Sequence, residues 1–233
     1  MKTALIIGVG SGLSASLARQ LATDGYDLHL ASRNPEGLRA LADETGADLH
    51  TLDGTDADAV SALVAGLPGE LRVACYNPSA RVRGPVAELD AEAVRKAVEV
   101  TAYGAFLLGQ AAAKRMMAQD ASDGVRGTIL FTGASAGVKG FAQSAPFAMG
   151  KFAQRGLAQA MARELHPKGI HVCWINIDGG IRNASRPERT AAADNPDSML
   201  DPDAIAGEYM RLINQHRSTW SDELTLRPWV ERF

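Results

Sequence analysis

Three glycines, Gly8, Gly10 and Gly12, alternate directly after the apolar run Thr3–Ile7, and Leu13-Ser14 then opens a helical pattern. Glycine lets a backbone turn sharply and come close to a pyrophosphate. A helix amino terminus adds free N–H groups and a dipole suited to negative charge. Set between a strand and a helix, such a loop is expected to cradle a dinucleotide, with Gly8, Gly10, Ser11, Gly12 and Leu13 around its phosphates. About 20 residues further on, an NAD site usually holds a carboxylate that hydrogen-bonds the ribose 2′-hydroxyl. Here that stretch reads Leu30-Ala31-Ser32-Arg33-Asn34, with no carboxylate. Ser32 can hydrogen-bond, and Arg33 can pair with or stack over an adenosine bearing a 2′-phosphate. The expected cofactor is therefore NADP(H) in preference to NAD(H).

Short apolar runs alternate with longer amphipathic ones and must position this loop. Candidate strands are Thr3–Ile7, Asp27–Ala31, Asp48–Leu52, Arg72–Tyr76, Gly127–Thr132, Ile170–Ile177 and Glu223–Leu226. Leu13, Leu17 and Leu21 recur every fourth residue before Gly25, and Leu157, Met161 and Leu165 do so before Pro167 and Gly169. This pattern predicts βαβ units. The expected class is α/β, a single Rossmann-type domain over residues 1–233. Its doubly wound parallel sheet would have about seven strands, with helices on both faces. Ligands in such sheets lie beyond the carboxyl ends of the strands.

The composition excludes several functions. The chain has 233 residues, 46% hydrophobic, with 24 basic and 27 acidic side chains and a net charge of -3. Apolar content this high argues against wholesale disorder, and a slightly acidic chain without a basic block argues against nucleic-acid binding by bulk charge. The first apolar run is too short for a secretory segment, and no stretch is long enough to span a membrane. A cytoplasmic protein is expected. Cys75 and Cys173 read as buried reduced thiols, and the five histidines share no metal-ligand spacing. No Gly-x-Ser-x-Gly elbow is present.

Beyond the glycine loop, the chain resembles the short-chain dehydrogenase/reductase family over nearly its whole length. Ile7-Gly8 and Gly12 align with that family's TGxxxGxG loop, although Ile7 replaces the threonine and Ser14 the last glycine. Asp53 and Gly54 fall where the family contacts adenine. Asn77-Pro78-Ser79 stands in its NNAG segment, Thr101–Phe106 in its NxxGxF stretch, and Gly179 and Ile181 in the turn after the sixth strand. The resemblance implies that these positions line the nucleotide, that Lys151 holds its ribose, and that the substrate is a small molecule. It also implies a homodimer or homotetramer built on the helices containing Thr101–Ala113 and Gln143–Ala162, and a substrate lid over residues 182–202.

The resemblance breaks at the proton donor. The family places a tyrosine four residues before its lysine, and here that position is Phe147. Thr101 stands in place of the supporting asparagine, and Ser135 fits the serine position only with a one-residue shift. Candidates for the missing acid are Tyr103, Ser135, Ser144 and a water held by Lys151. Tyr103 fits by residue type, yet its helical position could equally turn it into the core. Phe147 and Met149 suggest an apolar wall and an apolar substrate. Two readings stay open: an NADP(H)-dependent oxidoreductase with a non-standard donor, and an NADP(H)-binding sensor or scaffold without turnover. The aromatic tail, Leu226–Phe233, is expected to dock on the body or on a neighbouring subunit.

Overall fold

Side chains of Lys2–Ile7 alternate between two cores, as a central strand requires. Leu5 and Ile7 join the apolar cluster on one face, Ala4 and Ile6 the cluster on the other. In the computed structural model, which describes residues 1–191 and 193–231, this run is β1. The other strands are β2 (Asp27–Ser32), β3 (Asp48–Thr51), β4 (Glu70–Tyr76), β5 (Gly127–Thr132), β6 (Ile170–Ile177) and β7 (Glu223–Leu226). All seven expected strands are present, three with the expected bounds and four with one end moved by one or two residues. They form one parallel sheet in the order β3-β2-β1-β4-β5-β6-β7. The chain winds outward one way through β3 and the other way from β4, so its switch point lies between β1 and β4.

The helices are α1 (Leu13–Thr23), α2 (Arg39–Thr45), α3 (Ala57–Gly66), α4 (Ala91–Val98), α5 (Gly104–Met117), α6 (Ala145–Leu165) and α7 (Pro202–Ile213). Leu17 of α1, Leu41 of α2 and Tyr209 of α7 pack on one face of the sheet. Val60 of α3, Leu108 of α5 and Ala158 of α6 pack on the other. Burying a leucine such as Leu17 contributes roughly 1.5–3 kcal/mol. The α1 periodicity ends as expected, with Gly25 at φ +78° just beyond it. A π-helical turn, Glu99–Tyr103, joins α4 to α5 and carries Val100 to the mouth of the sheet.

Cys75 and Cys173 are free and buried, and loss of water pushes both thiols up to about 12. Among the described residues, no group of side chains could hold a metal ion, and no helix is long and apolar enough to cross a membrane. Part of the tail docks on the body: Pro228 is buried beside Gly179. Trp229 stays 82% exposed, with its indole N–H donating to Asp197 Oδ2 at 2.9 Å. Arg232 and Phe233 lie outside the described residues.

Candidate active site

A cleft of about 860 Å³ opens at the carboxyl ends of β1 and β4, where the winding reverses. Its floor is the glycine loop. Gly8 takes φ +84°, and a Cβ there would stand 2.5 Å from the Pro78 ring. Backbone freedom and close approach both demand glycine at this position. The Asn77 side-chain amide donates to Gly8 O at 3.1 Å and to Ser14 Oγ at 2.6 Å. Ser14, the residue in place of the family's last glycine, thus helps to brace the loop. Helix α1 starts without a side-chain cap. Its first N–H groups are those that suit a phosphate.

At the β2 end, the Ser32 hydroxyl is buried and has no hydrogen-bond partner. Buried polar groups are rarely left in that state, so an orphan on a cleft wall is a sign of a ligand contact. Arg33 follows on the rim. Asp53 Oδ1 accepts from the Thr55 backbone N–H at 2.9 Å and from the Thr55 hydroxyl at 2.7 Å. These bonds, and then the charge of Arg33, hold the carboxyl below its ordinary value. Gly54, Pro78, Ser79, Gly179 and Ile181 complete this part of the lining. Every residue expected around the nucleotide therefore lies on one cleft.

The opposite end holds Lys151 and Phe147, one turn apart on α6. Lys151 is 2% exposed, and its ammonium donates to Thr132 O at 2.5 Å and to Gln154 Oε1 at 3.2 Å. Loss of water, and then the charge of Arg81, lower it to about 7 from 10.5. Gln154 holds this arrangement together, since its amide also donates to Thr101 O at 3.1 Å and its oxygen accepts from the Trp174 indole.

The other proposed catalytic residues are not brought to the cleft. Thr101 is wholly buried; its hydroxyl accepts from the Ala80 N–H at 3.1 Å, and its side chain abuts Gly150. It fixes the spacing of α6 instead of facing a ligand. Ser135 begins a short 3₁₀ turn one residue beyond the lining residue Ala134. Tyr103 turns neither into the core nor into the cleft: it is 46% exposed and stacks on Phe106. Ser144 sits at the start of α6 outside the lining. Met149 is 53% exposed and also outside it.

Phe147 does line the cleft, but the Arg81 guanidinium lies 4.2 Å from its ring centroid. The expected apolar wall is therefore covered by a cation. Arg186 and Arg189 also line the cleft, as does Asn183, which accepts from Ser11 Oγ at 3.3 Å. None of these four was named individually in the sequence, although Asn183, Arg186 and Arg189 belong to the segment 182–202 that the family resemblance places over the substrate. Nothing local in the sequence marks Arg81.

The short chain dehydrogenase family profile matches residues 2–190. The chain belongs to the short-chain dehydrogenase/reductase family. Among its relatives, trans-4-hydroxycyclohexanecarboxylate dehydrogenase of Sinomonas cyclohexanicum is 31% identical over 185 residues, 73% of this chain and 69% of the relative. The cyclic-di-GMP-binding biofilm dispersal mediator protein of Escherichia coli (strain K12) is 30% identical over 193 residues, 81% of this chain and 78% of that one. The crystal structure of BdcA in complex with NADPH superposes with a TM-score of 0.82 at 26% identity, covering 97% of this chain and 93% of the other.

Proposed function

We propose that the cleft binds NADP(H), with Arg33 selecting it over NAD(H), and that the protein is an NADP(H)-dependent oxidoreductase with a non-standard proton donor. The observation that carries this reading is the end of β2, where an unpartnered buried hydroxyl, Ser32 Oγ, is followed in the chain by Arg33 and not by an acidic residue. A ribose 2′-phosphate needs that pairing of donor and cation. The glycine loop, shaped so that a side chain at Gly8 would collide with Pro78, fits a pyrophosphate. Bound NADP(H) would supply the hydride that passes to or from a substrate carbon. Lys151 holds the ribose hydroxyls, and Asp53 and Gly54 flank the adenine.

A phenyl ring donates no proton, and losing a positioned acid typically removes about 10²–10⁴-fold in rate. Lys151 is the ionisable group left beside Phe147, and the reaction's proton is held at its Nζ or on a water bound there. The protein acts as one domain in the cytoplasm. It self-associates through Tyr103 and Phe106 on one helical stretch and Met149 and Phe152 on α6, all of them exposed.

The second reading, a nucleotide-binding sensor without turnover, is favoured by Phe147. It also accords with the name of the Escherichia coli relative, a cyclic-di-GMP-binding biofilm dispersal mediator protein. NADPH consumption against carbonyl, enone and imine panels separates the two. The oxidoreductase reading expects turnover in the wild type, abolished in Lys151→Ala. Silence across all three panels, with carbonyl reduction appearing in Phe147→Tyr, would establish the sensor.

A further inference from the structure

Charge is distributed unevenly around the cleft. Five cationic side chains line it (Arg33, Arg81, Lys151, Arg186 and Arg189) against a single carboxylate, Asp53. The whole chain is acidic, with 27 carboxylates to 24 cations, so this local excess runs against the average. Arg33 and Asp53 stand together at the β2 end, which leaves the Phe147 end with cations and no acid. No ion pair joins Arg81, Arg186 or Arg189 to a carboxylate among the described residues, whereas Arg19, Arg72, Arg95, Arg155, Arg182 and Arg211 each have one.

Arg81 and Arg189 line the same cleft, close enough for the charge of one to act on the other. Loss of water and the charges of Arg189 and Arg83 lower the Arg81 pKa, and no carboxylate opposes them. The Arg81 guanidinium carbon lies over the Phe147 ring, 4.2 Å from its centroid. The Arg189 guanidinium approaches Gly180, at the root of the segment that follows β6. Two guanidinium groups brought together without a counter-charge repel each other, and they need an anion to offset that repulsion. A planar guanidinium held on an aromatic face is also pre-organised for two parallel bonds to an oxyanion.

The cofactor's own phosphates do not meet this need. The pyrophosphate belongs at the uncapped start of α1 and the 2′-phosphate beside Arg33, whereas Arg81 lies over Phe147, one turn from Lys151. We infer that Arg81 and Arg189 form an oxyanion clamp at the substrate end of the cleft, so that the protein takes a small substrate bearing a carboxylate or phosphate. This rests on the NADP(H) reading for which end is which, and it replaces the apolar substrate expected from Phe147 and Met149. It also assigns the phenyl ring a role, as the face on which the Arg81 guanidinium is held.

Calorimetric titration of the NADPH-saturated protein tests the clamp, using succinate, inorganic phosphate and the neutral isostere succinamide as probes. Succinate or phosphate is expected to bind saturably and succinamide not to bind. Arg81→Gln and Arg189→Gln should each weaken the anion about tenfold or more. Arg81→Lys should fall between, because it keeps the charge but loses the planar fork. Tighter succinate marks a carboxylate substrate, and tighter phosphate a phosphorylated one. Equal binding of succinamide, anion affinity unmoved by both glutamine variants, or competition between the anion and NADPH would each overturn the clamp. A wild type that fails to bind NADPH would instead overturn the cofactor reading. The same anion titrations on nucleotide-free protein, compared between wild type and the two glutamine variants, then decide the clamp separately.

Discussion

A side chain at position 8 has nowhere to go. Gly8 needs φ +84°, and a Cβ there would meet Pro78 at 2.5 Å, whereas a Cβ at Gly10 would meet nothing within 4 Å. Gly8→Ala is therefore expected to cost about 1–3 kcal/mol of stability through strain and overpacking, and to weaken NADPH at least about tenfold. Gly10→Ala should leave the urea midpoint nearly unchanged. Equal midpoints for the two variants would contradict this account of the loop. Lys151 yields a second prediction. Buried and close to Arg81, it ionises at about 7, and its cationic form binds an anionic dinucleotide better than its neutral form. NADPH affinity should fall as pH rises through about 7, and that step should vanish in Lys151→Met. A step that persists in Lys151→Met belongs to another group.

At the scale of elements, β6 and α7 are tied through one imidazole. His171 Nδ1 lies 3.1 Å from Leu212 O and Nε2 lies 2.9 Å from Ser221 O, and its ring stacks on Trp220. Burial lowers its pKa and outweighs the two carbonyls, which act in the opposite direction. His50, packed against His29, is lowered as well. Such a ring takes up its proton more readily in the unfolded chain, so its stabilising contribution is intact above 6.5 and is lost as pH falls through the folded value. The thermal midpoint is expected to decline from about pH 6.5 downward, before the lowered carboxylates Asp53 and Glu223 begin to protonate. His171→Gln should flatten that decline. A midpoint level from pH 7 to 5 would contradict it.

The strands were legible as short apolar runs, because a central strand such as β1 sends Leu5 and Ile6 into opposite cores and is apolar on both faces. The glycine-loop end of the cleft was legible too, since glycine spacing and strand ends are local signals. The Phe147 end was not. Arg81 and Arg189 are separated by more than a hundred positions and reach one cleft only through the fold, and the exposure of Tyr103 follows from a π-helical turn that residue type does not announce.

On the scale of the whole molecule, the sheet's winding order brings separate signals to one place. β1 delivers the glycine loop, β2 delivers Ser32 and Arg33, β4 delivers Asn77, and α6 delivers Lys151, all converging where the order reverses. Two arginines from segments after β4 and β6 then close the far end. On the proposed reading, the cleft has two anion-selective ends, one for a cofactor phosphate and one for a substrate. The first of these is the premise of the rest.

Fluorescence titration of nucleotide-free protein with NADPH and with NADH, in wild type and in Arg33→Ala, tests that premise most directly. The expected result is saturable NADPH binding at least about tenfold tighter than NADH, with the preference largely removed in Arg33→Ala. Equal affinity for the two nucleotides in the wild type, or a preference untouched by Arg33→Ala, would contradict it.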